Sequence, residues 1–261
     1  MWPKSLNPRI KDWQGRRVWL IGASSGIGAA LARELADRGA VLAVSARRQS
    51  ALQAIARHAA QSIVIPFDVT DPNAWQGAWQ ALSAQWEAPD LVVFCAADYQ
   101  PQRAWELDAN QAKRTVDTNL TSIYYGLHHI LPAMLSRGSG ALALVSSVAG
   151  YMGLPNATVY GPTKAALINL AELLYVDLRP RGLGVYLVNP GFVKTQLTAK
   201  NNFSMPAIQT PKQAAEAILS GLAAGRFEIS FPSHFTRPLK WASLLPYRLR
   251  FAAFGQLLGP T

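Results

Sequence analysis

Seven short apolar runs punctuate the chain: "RRVWLIG", "AVLAVSA", "SIVIPFDV", "DLVVFCAA", "GALALVSS", "LGVYLVNPG" and "FEISFP". Most are Val, Ile, Leu and Ala without polar alternation, which predicts strands buried on both faces and hence a parallel sheet covered by helices. Helical spacing fills the intervals. Ile27, Leu31, Ala32 and Leu35 recur on one face and Gly39 closes the segment; "QSALQAIARHAA" follows the second run. After the third run, Thr70 or Asp71 can cap a helix. Longer helices are expected over about 108–136 and 158–180, and "TPKQAAEAILSGLAAG" opens with a Thr210/Gln213 capping box and Pro211 in its first turn. With no linker, repeat or low-complexity tract, residues 1–261 read as one α/β domain, doubly wound, with helices on both faces of about seven strands.

The chain has 261 residues, half of them hydrophobic, enough to bury a sizeable core. Its single cysteine, Cys95, excludes an intrachain disulfide framework or a multi-cysteine zinc site and suits a cytoplasmic location. The N-terminal stretch lacks the apolar region of a signal peptide, and no apolar run reaches membrane-spanning length. His128, His129 and His234 have no ligand company, so no metal is expected. The net charge of +10 fits nucleic acid, anionic lipid or a phosphorylated ligand. No nucleic-acid module signature accompanies it, so a nucleic-acid partner is not expected.

"IGASSGIGAALA" places Gly22, Gly26 and Gly28 where the first strand meets the first helix. Glycines there let the backbone approach a pyrophosphate, and the helix N-terminus offers free N–H groups and the positive end of its dipole. Ser24, Ser25 and Ile27 lie in the same turn. At the end of the second strand a NAD site wants a carboxylate for the ribose, whereas an NADP site wants a cation for the 2′-phosphate. The chain offers Ala46, Arg47 and Arg48 with no acid in reach, so NADP(H) is expected.

"YGPTK" sets Tyr160 and Lys164 one helical turn apart on one face. Alone this pair is an ordinary helix turn. With "GASSGIG", "FDV", "CAA", "TNL", "VSS" and "NPGFVKT" in order, however, residues 14–232 resemble the short-chain dehydrogenase/reductase family. The resemblance implies a Rossmann-like fold and hydride transfer between NADP(H) and a small-molecule carbonyl or secondary alcohol. It places the catalytic tyrosine on Tyr160, the lysine on Lys164, the serine on Ser147 rather than Ser146, and the helix asparagine on Asn119. A phenol titrates near pH 10, and a neighbouring ammonium together with the nicotinamide's positive charge is expected to lower that value so that Tyr160 exchanges protons with the substrate oxygen. Ser147 would hydrogen-bond the same oxygen. Lys164 would also hold the nicotinamide ribose, and Asn119 a water that relays protons from the lysine. Asp68 and Val69 match positions that contact adenine. Ala96 falls within "CAA" and is expected at the cofactor; Pro190, Gly191, Val193 and Thr195 match the segment over the nicotinamide. Residues 195–210 read as a mobile substrate lid.

Two positions depart from the family pattern. Ile21 stands for the usual threonine before the first glycine, and Phe94, Cys95, Ala96 and Ala97 stand for Asn-Asn-Ala-Gly. Both bear on local packing. Cys95 reads as a small buried residue. A competing reading is a non-catalytic NADP-binding sensor or interaction protein on the same fold, but the complete Ser–Tyr–Lys–Asn set favours the enzyme. The resemblance also implies a homodimer or homotetramer built on the two long helices.

Residues 236–261 form a basic, aromatic extension. Leu239, Trp241, Leu244, Leu245, Tyr247, Leu249, Phe251, Phe254 and Leu257 lie among Arg237, Lys240, Arg248 and Arg250, with no acidic residue after Glu228. Pro238 and Pro246 are expected to cut the stretch into short pieces. Packing of the aromatics on the core or across a subunit interface is favoured, with weak peripheral membrane contact as the alternative.

Overall fold

The computed structural model describes residues 5–257, with side chains through Ala252. Its centre is one seven-stranded sheet, parallel throughout, in the order β3-β2-β1-β4-β5-β6-β7. The strands are β1 (Arg17–Ile21), β2 (Val41–Ala46), β3 (Ser62–Pro66), β4 (Leu91–Phe94), β5 (Gly140–Val145), β6 (Leu183–Pro190) and β7 (Glu228–Phe231). All seven predicted strands are present.

In the central strands successive residues feed opposite cores. In β1, Val18 and Leu20 enter one cluster with α1 (Gly26–Ala36), α2 (Gln49–Ala56) and α7 (Pro211–Ala224). Trp19 and Ile21 enter the other with α3 (Pro72–Ser83), α5 (Ser122–Arg137) and α6 (Tyr160–Leu178). This double burial is why the runs lack polar alternation. Ile21, where the family pattern has threonine, is a wholly apolar contributor to the second core. Phe94 likewise packs beside Trp75, at 6.4 Å between rings. Fully buried Trp75 also meets Phe67 edge-on at 4.9 Å and donates its indole N–H to the Val69 carbonyl.

Helix ends follow the sequence with two adjustments. Asp71 caps α3 by accepting from Asn73 N–H, whereas Thr70 bonds Asp68 instead. The capping box of α7 forms as expected, and Gly225 closes that helix in the left-handed region. The long helix predicted over 108–136 is divided: α4 (Ala109–Val116) runs into a π-helical turn, Asp117–Thr121, before α5. A π turn widens the helix locally, a departure often found at functional sites.

The C-terminal extension corrects the expectation that Pro238 breaks it. Pro238 lies inside α8 (Ser233–Ala242), with only Pro246 separating it from α9 (Tyr247–Leu257). Among the described residues, the aromatics Trp241, Tyr247 and Phe251 do not bury against the core. Thr236 and Phe235 hold the start of α8 down, but Trp241 is 72 % exposed and Phe251 66 %. The side chains of Phe254 and Leu257 lie outside the described residues. No described helix is long and apolar enough to cross a membrane, and the described residues hold no cluster of three metal-ligating side chains.

Candidate active site

The strand order reverses between β1 and β4, and at such a switch point the connecting loops diverge and leave a crevice beyond the carboxyl ends of the strands. A cleft of about 720 Å³ opens there. Of the residues singled out in the sequence, all line it except Gly28 and Asn119. Gly28 has a packing reason: a Cβ there would stand 2.3 Å from the Gly22 carbonyl oxygen. Gly22 itself has φ +96° and would drive a Cβ to 2.4 Å from Ala96 N, so the glycine turn lies flat against the end of β4.

One end of the cleft is built from this turn and the tips of β2 and β3. Ser25 starts α1 without a side-chain cap, and no acid occupies the first turn, so its leading amides suit an anion. Arg48 donates to the Ser24 carbonyl and hydroxyl at 3.4 and 3.3 Å. Arg47 extends outward, its side chain 80 % exposed. The expectation of no acid in reach holds along β2 but not in space, because Asp68 of the neighbouring loop lies 4.0 Å from the Arg47 guanidinium. Asp68 also accepts from Thr70 N–H and its hydroxyl, which fixes its orientation. The donor set of open helix amides and two guanidinium groups fits a phosphorylated dinucleotide.

The other end holds Ser147, Tyr160 and Lys164. Lys164 is 1 % exposed, donates to the Val145 carbonyl at 2.9 Å, and holds its ammonium 5.4 Å from the centre of the Tyr160 ring. Burial lowers its pKa to about 8, against a small opposing pull from Cys95. The Tyr160 phenol is pushed up to about 12 by burial; the Ser147 hydrogen bond works against that shift, while Tyr99 and Cys95 add to it. Without a nicotinamide's positive charge beside it, desolvation sets the direction of the shift. Ser146 and Ser147 both line the cleft but differ in their bonds: Ser146 is buried and donates to the Lys164 carbonyl, while the Ser147 hydroxyl accepts from Ala149 N–H. Gly150 lets the loop after Ser147 press on α6, since a Cβ there would come within 2.6 Å of the Lys164 carbonyl carbon.

Asn119 sits in the π turn, fully buried, with its side chain wholly engaged. Its Oδ1 accepts from Asp98 N–H at 2.7 Å, and its Nδ2 donates to the Asp98 carbonyl and to Thr163 Oγ1. These bonds fix the loop after β4 to α6 and hold Asn119 in place, with both Nδ2 hydrogens engaged and one bond accepted at Oδ1.

Several lining residues escaped sequence reasoning. Asp98 accepts from Gln111 and Thr115, and Arg114 reaches the cleft from α4. Tyr99 meets the Tyr160 ring edge-on at 4.9 Å and donates its hydroxyl to Asn201 of the predicted lid at 2.8 Å. Lys200 donates to the Tyr99 carbonyl. The signal for this group is positional, since residues just after β4 must face the switch point. The predicted lid is fastened at its base, where Lys194 N–H donates to Gln209 and Gln209 N–H to Phe192. Cys95 is half-buried beside the first core cluster, and burial raises its thiol to about 11, so it stays neutral.

Comparisons with known proteins agree with this architecture. A model described as short chain dehydrogenase matches residues 16–205. An uncharacterized oxidoreductase of Myxococcus xanthus (strain DK1622) is 38 % identical over 246 residues, covering 93 % of this chain and 97 % of the relative. Another, from Staphylococcus aureus (strain N315), is 30 % identical over 203 residues, or 77 % and 88 % of the two chains. Among solved structures, a short-chain dehydrogenase from Streptomyces avermitilis shares the fold with a TM-score of 0.79 at 23 % identity, covering 94 % of this chain and 98 % of that one. With the family model spanning most of the chain and the cleft at the switch point of its parallel sheet, the protein belongs to the short-chain dehydrogenase/reductase family of oxidoreductases.

Proposed function

We propose that the protein is an NADP(H)-dependent oxidoreductase acting on a carbonyl or the corresponding secondary alcohol. The observation that carries this reading is the convergence of Ser147, Tyr160 and Lys164 in one cleft that begins at the glycine turn. A nicotinamide bound there supplies or accepts the hydride. Tyr160 gives its proton to the substrate oxygen in the reducing direction and takes it back in the other. Ser147 donates to the same oxygen and stabilises the charge that develops on it. Lys164, buried and cationic at neutral pH, favours the phenolate at the moment Tyr160 is deprotonated, and burial strengthens that attraction. Arg47 and Arg48 select the 2′-phosphate, and the α1 amides face the pyrophosphate. Lys164 Nζ would exchange its Val145 contact for the nicotinamide ribose. A non-catalytic binder needs the arginines and the glycine turn but gains nothing from a buried, destabilised lysine.

The test is NADPH consumption across ketones and aldehydes, from small polar to steroid- and lipid-sized. Oxidation by at least one member is expected. No turnover of any, in either direction and with either cofactor, overturns the enzymatic reading.

The assembly reading rests on a second surface. Tyr124, Leu127, Leu131, Leu170 and Leu173, on α5 and α6, line an almost wholly apolar groove. Tyr124 and Leu173 are half or more exposed. A two-fold contact through such a face is self-complementary because it carries little charge. A homodimer or homotetramer is expected by light scattering at micromolar concentration, and Leu173→Glu is expected to shift it towards monomer. A monomeric unmodified protein overturns this.

A further inference from the structure

The end of the chain exposes a different apolar surface. Trp241, Leu244, Leu245, Tyr247, Leu249 and Phe251 all project into solvent from the last turn of α8, the link at Pro246 and the first turns of α9. A contiguous run of large exposed apolar groups is unusual on a protein surface without a partner. The polar groups among them are of one sign. Lys240 is paired with Glu228, and Arg250 lies over the Tyr247 ring at 4.9 Å while donating to the Ser243 and Leu245 carbonyls. Arg237 and Arg248 are exposed, and none of the described ion pairs engages them.

Charge decides between occupants. A second copy meeting this surface across a two-fold axis would set cations against cations, with no acid beyond Glu228 to answer them. Nucleic acid answers the arginines but offers no apolar layer to Leu244, Leu245 and Leu249. An anionic bilayer answers both, with phosphate for the guanidinium groups and the headgroup–acyl boundary for indole, phenol and leucine. The link at Pro246 suits this role, since two short helices can lie flat in an interface that neither is long enough to cross.

We propose that α8 and α9 form a peripheral docking surface for anionic phospholipid bilayers. This surface also connects to the cleft: Phe235, at the start of α8, stacks on Phe192 at 5.7 Å, and Phe192 meets Phe203 of the lid at 6.0 Å. The proposal stands apart from the reaction assigned above, and its test does not use turnover.

The experiment is flotation of the full-length protein with vesicles of phosphatidylcholine alone or mixed with phosphatidylglycerol, at low and high salt. Binding to the anionic vesicles only, weakened by salt, is expected. Arg237→Gln with Arg248→Gln should lower the partition coefficient about 25-fold, each cation near an anionic surface being worth a factor of about five. Trp241→Ala with Phe251→Ala should lower it too. All four side chains are exposed, so circular dichroism and the Tm should match the unmodified protein. Absence of flotation at low salt overturns the proposal, as does flotation that both double variants retain. So does an oligomer that Trp241→Ala with Phe251→Ala dissociates, because a second copy would then be the occupant.

Discussion

The two ends of the cleft are built on opposite principles. At the glycine turn the polar groups are solvent-facing and unstrained: Arg47 extends into water, and Arg48 makes only long contacts to Ser24. At Tyr160 the polar groups are desolvated, with one ammonium and one phenol both displaced from their ordinary pKa values by burial. Exposed groups bind an anion without altering their own protonation, which suits recognition. Buried groups held in costly protonation states suit proton transfer, where a small energetic difference between states matters. The contrast predicts that binding and chemistry separate by position in the cleft.

The sharpest break is Tyr160→Phe. It removes the proton donor and leaves the ring's packing on Tyr99, so turnover should fall by about 100-fold or more while NADPH affinity, measured by fluorescence titration, stays near that of the unmodified enzyme. Retention of a tenth of the activity would show that Tyr160 is not the acid. A smaller effect, of the reverse kind, is expected from Arg47→Ala. NADPH should bind more weakly by about 1.5–3 kcal/mol, the worth of one charge-assisted phosphate contact, while NADH binding and kcat scarcely move. Equal affinities for the two cofactors in the unmodified protein would remove the basis for this.

The smallest effect is on stability. Lys164 titrates near 8 when folded and near its ordinary 10.5 when unfolded, so at neutral pH both states are charged and the folded state carries the full burial cost. Between about pH 8 and 10.5 the unfolded chain holds the extra proton, and stability from this group rises with pH. Lys164→Met should therefore raise the Tm at pH 7, with a gain that shrinks as pH climbs through that window, while activity is lost. Arg47→Ala should leave the Tm unchanged at either pH. A lower Tm for Lys164→Met at pH 7 would mean that the Val145 hydrogen bond outweighs desolvation.

The same contrast explains what could be read from the sequence. The glycine turn, the arginines and all seven strands announce themselves locally, because uninterrupted apolar runs and glycine spacing carry their structural meaning within a few residues. The catalytic end is legible only as identities. The choice of Ser147 over Ser146 rests on the family pattern, and the displaced pKa values come from burial contributed by distant segments. Tyr99 meets Asn201 from 102 positions away, and nothing in "AADYQ" marks it. The π turn at Asp117–Thr121 is equally silent: "DTNLT" has no glycine or proline, and the turn is where Asn119 bonds to Asp98 and Thr163, 21 and 44 positions away. The tail is legible only in part: its apolar content suggests burial on the core or across a subunit interface, and among the described residues Trp241, Tyr247 and Phe251 stand exposed on the single chain.

The exposed position of Arg47 also has a kinetic consequence. A dinucleotide approaching from solution carries several negative charges, and the whole chain carries +10. Guanidinium groups at the open rim of a cleft project their field outward, so they act on the incoming anion before any hydrogen bond forms. They should raise the frequency of productive encounters more than they prolong each visit. Stopped-flow association rates would then fall steeply as ionic strength rises and the Debye length shrinks to about 8 Å near 0.15 M, while dissociation rates change little. On that account, the rim arginines govern how often the cleft is filled, and the buried residues govern what happens once it is.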